Sequence, residues 1–279
     1  MSEPKTIVIT GASDGIGAAA APRLHADGHR VVVVGRSPAK TEAVAGELGV
    51  EHHTADFARF ADVRRLAAAL DATHPRIDVL VNNAGGIFGD RAKTTDGFEK
   101  TLQVNHLSPF LLTTLLMDKL LASRASLIQT SSSGARLFGD LRLDDLDHDA
   151  AFTAHKAYGT AKLSNILFTR ELHARFHARG LSAAAFHPGV VTTAFATESA
   201  SFFSLIYKNP LGRMAMVSPE KGARQLVWLA TTAPGVEWES GVYYERGKPA
   251  RRVNPRANDD ELARRLWDRS AELVGVKTA

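Results

Sequence analysis

The first turn of the chain reads Thr10-Gly11-Ala12-Ser13-Asp14-Gly15-Ile16-Gly17. It joins a β-branched run, Thr6–Thr10, to a helical pattern, Ile16–Asp27. Its three glycines allow a tight turn, a close approach of the backbone to a pyrophosphate, and close packing of a helix on a strand. The free N–H groups and the positive end of the helix dipole would then face phosphate groups. An ordinary strand–helix turn is the alternative, and the surrounding sequence has to decide between them.

Apolar runs of strand length alternate with helical patterns along the rest of the chain. The predicted strands are Thr6–Thr10, Arg30–Gly35, Val50–Ala55, Ile77–Asn82, Ala125–Ser131 and Leu181–His187. The predicted helices are Ile16–Asp27, Pro38–Leu48, Arg59–Thr73, Gly97–Leu121 and Tyr158–Arg179. Short connections between such elements predict an α/β fold, a doubly wound parallel sheet with helices on both faces. No linker or internal repeat appears, so we predict a single domain over residues 1–279.

Two stretches break this alternation, and each follows a predicted strand. Arg136–Ala154 is acidic and irregular. Residues 192–217 are more apolar, and we predict that they form a lid over the substrate. The lid prediction depends on one group of side chains: Phe202, Phe203, Leu205, Ile206, Met214 and Met216. The alternative is that this group belongs to the core or to a subunit contact.

Composition excludes several classes of protein. The chain has 279 residues, of which 44% are apolar and none is cysteine, so disulfide scaffolds, cysteine-ligated metals and thiol nucleophiles are excluded. Its 34 basic and 30 acidic residues are interspersed, which indicates a solvated surface and no nucleic-acid partner. No 18-residue apolar run or signal peptide appears, so we expect a cytoplasmic protein without a membrane anchor. No metal is expected, because HExxH is absent and His52-His53 are interpreted as surface residues.

The end of the second predicted strand carries information about the nucleotide. Arg36 follows Gly35 there, about 20 residues after the glycine turn, where an acidic side chain usually holds the ribose of NAD. An arginine suits a 2′-phosphate instead, so the sequence predicts NADP(H). Asp14 adds a negative charge that does not favour this phosphate. The alternative is an Arg36 side chain that only points into solvent.

Three further groups of polar residues suggest proton chemistry. Tyr158 and Lys162 are spaced to share one face of a helix, where an ammonium group stabilises a phenolate; an exposed pair is the alternative. Ser131–Ser133 end the fifth strand, either at a substrate or in a polar turn. Asn105 lies inside an apolar helical pattern, where asparagine is unfavourable, so its place there needs a reason. The adjacent His106 is interpreted as structural.

At this point the sequence resembles the short-chain dehydrogenase/reductase family, whose members have a Rossmann-type fold. The motifs that carry the resemblance span about residues 5–190, in the family's order. They are Thr10–Gly17, Asp56, Asn82-Asn83-Ala84-Gly85, Asn105, Ser131-Ser132, Tyr158-Gly-Thr-Ala-Lys162 and His187-Pro188-Gly189. One such motif is weak evidence, but seven in order are highly specific.

The resemblance implies roles for individual residues. Tyr158 would be the acid/base, and Lys162 would favour its ionised form and bind the nicotinamide ribose. Ser132, the second serine of the family's pair, would hydrogen-bond the substrate oxygen, with Ser131 and Ser133 as alternatives. Asn105 would hold a water in the proton relay. The implied cofactor site comprises Gly11, Ser13, Asp14, Gly15, Ile16, Gly17, Arg36, Asp56 at the adenine, Asn83, Ala84 and Gly85 on the adenosine side, Tyr158, Lys162, and Pro188, Gly189, Val191 and Thr192 at the nicotinamide.

A narrower resemblance concerns the retinol dehydrogenase and WW-domain oxidoreductase branch. Residues 162–172, 187–192 and 240–267 carry it, although we expect no N-terminal membrane anchor like that of the branch. It implies an NADP(H)-dependent enzyme that interconverts a carbonyl and an alcohol on a lipophilic retinoid-, steroid- or lipid-aldehyde-like molecule. One alternative is a ketoreductase that tailors a polycyclic secondary metabolite. Another, from a different class, is a non-catalytic dinucleotide sensor. The family also allows a homodimer or homotetramer through helices 97–121 and 158–179.

Overall fold

A computed structural model of the protein describes residues 3–191 and 217–277. Within these residues one sheet has the strand order β3-β2-β1-β4-β5-β6-β7-β8. The strands are β1 (Thr6–Thr10), β2 (Arg30–Gly35), β3 (Glu51–Thr54), β4 (Val79–Asn82), β5 (Ser126–Thr130), β6 (Ser182–His187), β7 (Val242–Glu245) and β8 (Lys248–Pro249). All neighbouring strands pair in parallel except β7 and β8.

Helices follow most of the strands and cover both faces of the sheet. They are α1 (Gly15–Ala26), α2 (Pro38–Leu48), α3 (Phe60–Thr73), α4 (Lys100–Leu102), α5 (Ser108–Leu115), α6 (Met117–Ala122), α7 (Gly134–Phe138), α8 (Ala154–Phe176), α9 (Pro219–Thr231) and α10 (Asp260–Val274). A π-helical stretch, Gln103–Leu107, joins α4 to α5. Within the described residues, no helix has both the length and the apolar character that crossing a membrane requires.

The two faces of the sheet form two separate apolar cores. Val8 of β1 packs with α3, α5, α8 and α10 on one face. Ile7 and Ile9 of the same strand pack with α1 and α9 on the other face. Strands covered on both sides need apolar residues at successive positions, which explains the unbroken β-branched runs. The predicted α/β class, a parallel sheet wound with helices on both faces, is therefore confirmed.

The element boundaries show where the sequence prediction was wrong. All six predicted strands exist, with the third shortened at both ends and the fourth starting at Val79. The predicted helix Gly97–Leu121 is instead divided into α4, the π-helical stretch, α5 and α6. Strands β7 and β8 and helices α7, α9 and α10 were not predicted. The predicted lid, with its apolar group, lies outside the described residues except for Val217.

The strand order fixes where a ligand can bind. From β1 the chain winds outward to β2 and β3, and it then returns to start β4 on the other side of β1. This reversal leaves a crevice at the carboxyl ends of the strands, which is where open α/β sheets bind ligands. A cavity of about 580 Å³ lies at this edge, lined by residues that follow β1, β2, β3, β4, β5 and β6.

Candidate active site

The glycine turn after β1 brings two chain segments too close together for side chains. Gly11 has φ +65°, and a Cβ there would lie 2.7 Å from Ala84 Cα. A Cβ on Gly17 would lie 2.6 Å from Gly11 O. Gly17 is therefore the glycine that packs α1 onto β1, and it does not line the cavity. Gly11, Ser13, Asp14, Gly15 and Ile16 do line it, as predicted.

Two cations and one carboxylate surround the end of β2. Arg36 is exposed and lines the cavity, as does Lys40 of the first turn of α2. Lys40 Nζ lies 3.2 Å from Asp14 Oδ2, and Gly15 N donates to Asp14 Oδ1 at 2.7 Å. Asp14 thus caps the N-terminus of α1 with one oxygen while a cation offsets the charge of the other. Sequence reasoning missed Lys40, although its spacing of four residues from Arg36 was visible.

Asn83 fixes the ends of three neighbouring strands. Its Nδ2 donates to Thr10 O at 3.0 Å and to Gly11 O at 3.1 Å. Its Oδ1 accepts from Thr130 Oγ1 at 3.1 Å. The N–H groups of Asn83 and Ala84 both donate to Thr10 Oγ1 at 3.0 Å. This network holds the floor of the cavity in one conformation.

Tyr158 and Lys162 lie one turn apart on α8 and both line the cavity. They are 5% and 2% exposed, so the alternative of an exposed pair is wrong. Lys162 Nζ lies 5.5 Å from the centroid of the Tyr158 ring and donates to Thr130 O at 3.1 Å. Burial lowers the pKa of Lys162 to about 7, because an ammonium group loses its hydration there.

The three serines after β5 have different surroundings. Ser131 is buried, and its hydroxyl donates to Lys162 O at 2.8 Å, so it ties β5 to α8. Ser132 Oγ accepts from Gly134 N at 3.1 Å, which leaves its own proton available to another acceptor. A Cβ on Gly134 would lie 3.4 Å from Ser132 Oγ and 3.2 Å from Tyr158 Cε1. Ser132 is therefore placed beside the tyrosine ring, while the Ser131 hydroxyl is committed to the backbone.

Asn105 is completely buried in the π-helical stretch and does not line the cavity. Its Nδ2 donates to Thr101 O and Gly86 O, both at 2.9 Å, and its Oδ1 accepts from Gly86 N at 3.2 Å. A Cβ on Gly85 would lie 2.4 Å from Asn105 Oδ1 and 3.2 Å from Lys162 Nζ. The asparagine thus holds the loop after β4 against the lysine, which is the reason for its place in an apolar helix.

The remaining predicted cofactor residues also line the cavity. Asp56 is one of them, and its Oδ1 accepts from Ala58 N at 2.9 Å. The others are Asn83, Ala84, Gly85, Pro188, Gly189 and Val191. Thr192 lies outside the described residues.

The structure adds cavity residues that sequence reasoning missed. His187, at the end of β6, has a buried Nδ1 without a hydrogen-bond partner among the described residues, and burial lowers its pKa. An apolar wall consists of Ile87, Phe88, Leu137, Phe138 and Val190. Leu137 is 56% exposed and Val190 is 40% exposed, so the wall continues to the mouth of the cavity. The five apolar residues carry no motif, and only the fold brings them together; His187 belongs to the motif His187-Pro188-Gly189 but had no predicted role.

A nicotinamide dinucleotide fits the residues of this cavity. Side chains on Gly11 or Gly85 would fill the space beside the loop after β4. Gly15 and Ile16 begin α1, whose N-terminus suits a pyrophosphate. The Lys162 ammonium lies near the Tyr158 ring, and Ser132 also lines the cavity. The cavity can therefore hold a dinucleotide with its reactive end beside two hydroxyl groups.

This parallel sheet, its glycine turn and its cavity are those of an α/β dinucleotide-binding protein. The chain belongs to the short chain dehydrogenase family, whose model matches residues 5–202. It is therefore an oxidoreductase that acts on CH–OH or C=O groups. Structures that share the fold include complexes with NADH and with NADP.

Three similar proteins cover nearly the whole chain. A protein of Streptomyces sp. (strain C5) named as a daunorubicin C-13 ketoreductase, DnrU, is 41% identical over 97% of this chain and 93% of its own length. Human retinol dehydrogenase 13 is 37% identical over 98% of this chain and 85% of its own length. The crystal structure of an uncharacterized protein from Mycobacterium paratuberculosis has a TM-score of 0.79 and is 31% identical, covering 99% of this chain and 95% of its own.

Proposed function

We propose that the protein is an NADP(H)-dependent enzyme that interconverts a carbonyl and an alcohol on a lipophilic small molecule of retinoid, steroid or lipid-aldehyde type. One observation carries the proposal: Tyr158 and Lys162 are buried together at a cavity whose lining includes the apolar side chains Ile87, Phe88, Leu137, Phe138 and Val190. A tyrosine positioned in this way can exchange a proton with a substrate oxygen.

The residues of the chain have separate tasks in this mechanism. A bound nicotinamide supplies or accepts the hydride. During reduction, the Tyr158 hydroxyl gives its proton to the carbonyl oxygen, and Ser132 Oγ–H donates a hydrogen bond to the same oxygen. The Lys162 ammonium stabilises the phenolate that remains. Asn105 keeps Gly85 and Gly86 against the lysine, and the water that it would hold in a proton relay stays a prediction.

The ammonium form of Lys162 has limited support from the protein. Within the described residues its ammonium group donates to a neutral carbonyl, Thr130 O, and burial lowers its pKa to about 7. A negative charge nearby would therefore stabilise the protonated lysine, and the Tyr158 phenolate is such a charge. The two groups help each other to ionise, which is the property that an acid/base pair requires near neutral pH.

The preference for NADP(H) is supported by the charges after β2. Arg36 and Lys40 line the cavity where a 2′-phosphate would lie. Asp14 opposes this anion, but Lys40 Nζ lies 3.2 Å from its carboxylate and offsets its charge. The balance of two cations against one anion favours the phosphorylated ribose.

We predict that Arg36→Ala raises KM for NADPH about tenfold, because hydrogen bonds to charged groups contribute about 1.5–3 kcal/mol. KM for NADH is expected to change less than about twofold, since its ribose has no phosphate. Arg23→Ala serves as the control, because Arg23 is exposed on α1 and pairs with Asp27 away from the cavity. A wild-type enzyme that prefers NADH would contradict the NADP(H) assignment.

The lipophilic substrate is supported by the apolar wall and by the relatives. Ile87 and Phe88 are buried, whereas Leu137 and Val190 present apolar surface at the mouth of the cavity. The names of the relatives, retinol dehydrogenase and daunorubicin ketoreductase, refer to compounds with an extended polyene or polycyclic aromatic skeleton. A ketoreductase of polycyclic secondary metabolites therefore remains the second candidate, because Ser132, Tyr158 and Lys162 would serve it in the same roles.

We predict that Tyr158→Phe lowers the rate of hydride transfer by about 10²–10⁴, because the ring stays in place while the transferable proton is lost. The measurement is NADPH oxidation with a panel of aromatic and long-chain carbonyls. NADPH affinity, followed by its fluorescence, is the control and is expected to stay close to the wild-type value. If the variant kept the wild-type rate, tyrosine acid/base chemistry would be excluded. Absence of any hydride transfer by the wild-type protein would favour the dinucleotide sensor.

A further inference from the structure

Three potential metal ligands converge at the outer edge of the sheet, and none of them lines the dinucleotide cavity. Glu51 Oε1 lies 3.1 Å from His53 Nε2 and 3.2 Å from His74 Nε2. One ligand atom from each residue lies within 4.8 Å of the others. In a tetrahedral site with metal–ligand bonds of 2.0–2.1 Å, neighbouring ligand atoms are about 3.3 Å apart. Two of the three separations already match this value.

The register of β3 explains why these side chains meet. Glu51 pairs with Val32 and His53 pairs with Val34 of β2, and both valines belong to the core that includes α3. Neighbouring residues in a parallel pair point to the same face, so Glu51 and His53 face α3. His52 pairs with Val33, which belongs to the opposite core, and therefore points away.

The third ligand comes from the end of α3. His74 follows Thr73 as the C-cap of this helix, and its side chain is completely buried. Its Nδ1 has no hydrogen-bond partner within the described part of the chain, while Nε2 lies 3.2 Å from Glu51 Oε1. Both histidines thus share one carboxylate oxygen, and a metal ion at this point would give each imidazole nitrogen a ligand bond of its own.

Arg30 orients the carboxylate from its other side. Arg30 Nη2 lies 3.2 Å from Glu51 Oε2, which leaves Oε1 directed toward both histidines. Partners that hold the second oxygen of a ligating carboxylate in this way are common around metal sites. The glutamate is thus fixed in the orientation that a metal ion would need.

We propose that Glu51, His53 and His74 bind one divalent transition-metal ion of the Zn²⁺ class. Two imidazole nitrogens and one carboxylate oxygen favour Zn²⁺, Co²⁺ or Ni²⁺ over Mg²⁺ and Ca²⁺, which prefer oxygen ligands alone. Glu51 and His53 are partly exposed, so a fourth position is open to water.

The ion would cross-link the edge strand β3 to the C-terminal end of α3. An edge strand pairs with a neighbour on one side only. A cross-link to α3 would therefore stabilise β3, which has fewer backbone hydrogen bonds than the central strands. None of the three ligands lines the dinucleotide cavity, and Glu51 begins β3 at the end opposite to that cavity. The site is therefore independent of the hydride chemistry.

The sequence alone predicted that no metal binds and that His52 and His53 are surface residues, because the two are adjacent and no metal motif is present. Alternation along the strand separates the two histidines, and α3 brings His74 to one of them. This gives a matched pair of variants for the test. His53→Ala removes a ligand, and His52→Ala removes the neighbouring exposed imidazole on the other face.

The test titrates metal-stripped, tag-free full-length protein with Zn²⁺ in competition with a chromophoric chelator. We expect one tight site per chain, weakened at least about tenfold in His53→Ala and in Glu51→Gln and unchanged in His52→Ala. Both ligand variants alter partly exposed side chains, and circular dichroism checks that they fold. His74 is left intact, because its complete burial would mix folding with binding.

Co²⁺ gives a second readout that depends on coordination geometry. We expect the intense visible bands of four-coordinate Co²⁺ in the wild-type protein and in His52→Ala, and their loss in His53→Ala. Millimolar Mg²⁺ should not displace the ion. Wild-type Zn²⁺ affinity no higher than that of His53→Ala would overturn the proposal. An equal loss of affinity in His52→Ala would do the same, since it would indicate unspecific binding by surface histidines.

Discussion

At the scale of single residues, Lys162 shows a conflict between stability and function. It is one of the largest fully buried side chains, and burial lowers the pKa of its ammonium group to about 7. A methionine of similar length would fill this space without the cost of burying a charge. The lysine is therefore unfavourable for folding, as expected for residues that serve a reaction.

This conflict predicts how the stability of the cofactor-free protein depends on pH. The unfolded chain has a lysine pKa near 10.5, and the folded chain has one near 7. Between these values the unfolded state binds the extra proton, so the contribution of Lys162 to stability rises with pH. Below pH 7 both states are protonated, and the burial penalty is fully present.

We therefore predict that Lys162→Met is more stable than the wild type by a few kcal/mol at pH 6, and that this difference decreases toward pH 10. Urea unfolding at several pH values measures the difference. Lys221→Met is the control, because Lys221 is exposed on α9 and its replacement should give a difference that does not vary with pH. A difference for Lys162→Met that stays constant with pH would contradict the argument.

Where a motif constrains both sequence and place, the structure puts the predicted residues at the cavity. The glycine turn and the Tyr158–Lys162 pair were visible because their spacing fixes a local geometry. Local spacing could not identify which of Ser131, Ser132 and Ser133 would hydrogen-bond the substrate oxygen. It depends on which hydroxyl reaches α8, and the structure shows that Ser131 does.

At the scale of elements, the divided helix illustrates a limit of periodicity. Residues 97–121 have an apolar pattern that predicts one helix, but a π-helical stretch and a break at Leu116 divide it. The poor fit of Asn105 to a helix signalled something unusual, although not its nature. Its side-chain hydrogen bonds with Gly86 involve a loop 19 residues away, which no local pattern contains.

The sequence prediction also omitted α10 and β7, although the apolar spacing typical of a helix is present in α10. Helix α10 has apolar residues at helical spacing, Leu262, Leu266 and Trp267, and all three are buried. Strand β7 is only four residues long and becomes recognisable by its pairing with β6. Short strands and surface helices are stabilised by the core they cover, so their local sequence carries a weaker signal.

At the scale of the whole molecule, the substrate region is assembled from distant parts of the chain. The loop after β4 contributes Ile87 and Phe88, α7 contributes Leu137 and Phe138, and the segment after β6 contributes Val190. Since the fold alone brings them together, the sequence could indicate the reaction better than the substrate. The exposed part of this wall offers a test of the substrate that does not disturb the core.

We predict that the enzyme turns over aromatic and long-chain carbonyls with a higher kcat/KM than small sugars. Leu137→Asp should lower kcat/KM for the lipophilic substrates about tenfold, because contact with a leucine side chain contributes about 1.5–3 kcal/mol when fully buried. For small polar carbonyls we expect little change, since they do not reach the mouth of the cavity. Leu137 is 56% exposed in the described structure, so its replacement should leave the fold intact.

The matched control is Val236→Asp, which places the same charge on an 81% exposed apolar residue away from the cavity. Its kcat/KM values should equal those of the wild type for every substrate. If Leu137→Asp and Val236→Asp behaved alike, the wall would not contact substrate. Faster turnover of sugars than of aromatic carbonyls would exclude a lipophilic substrate while leaving the Tyr158 chemistry in place, because proton transfer at the tyrosine does not depend on what lies beyond the carbonyl.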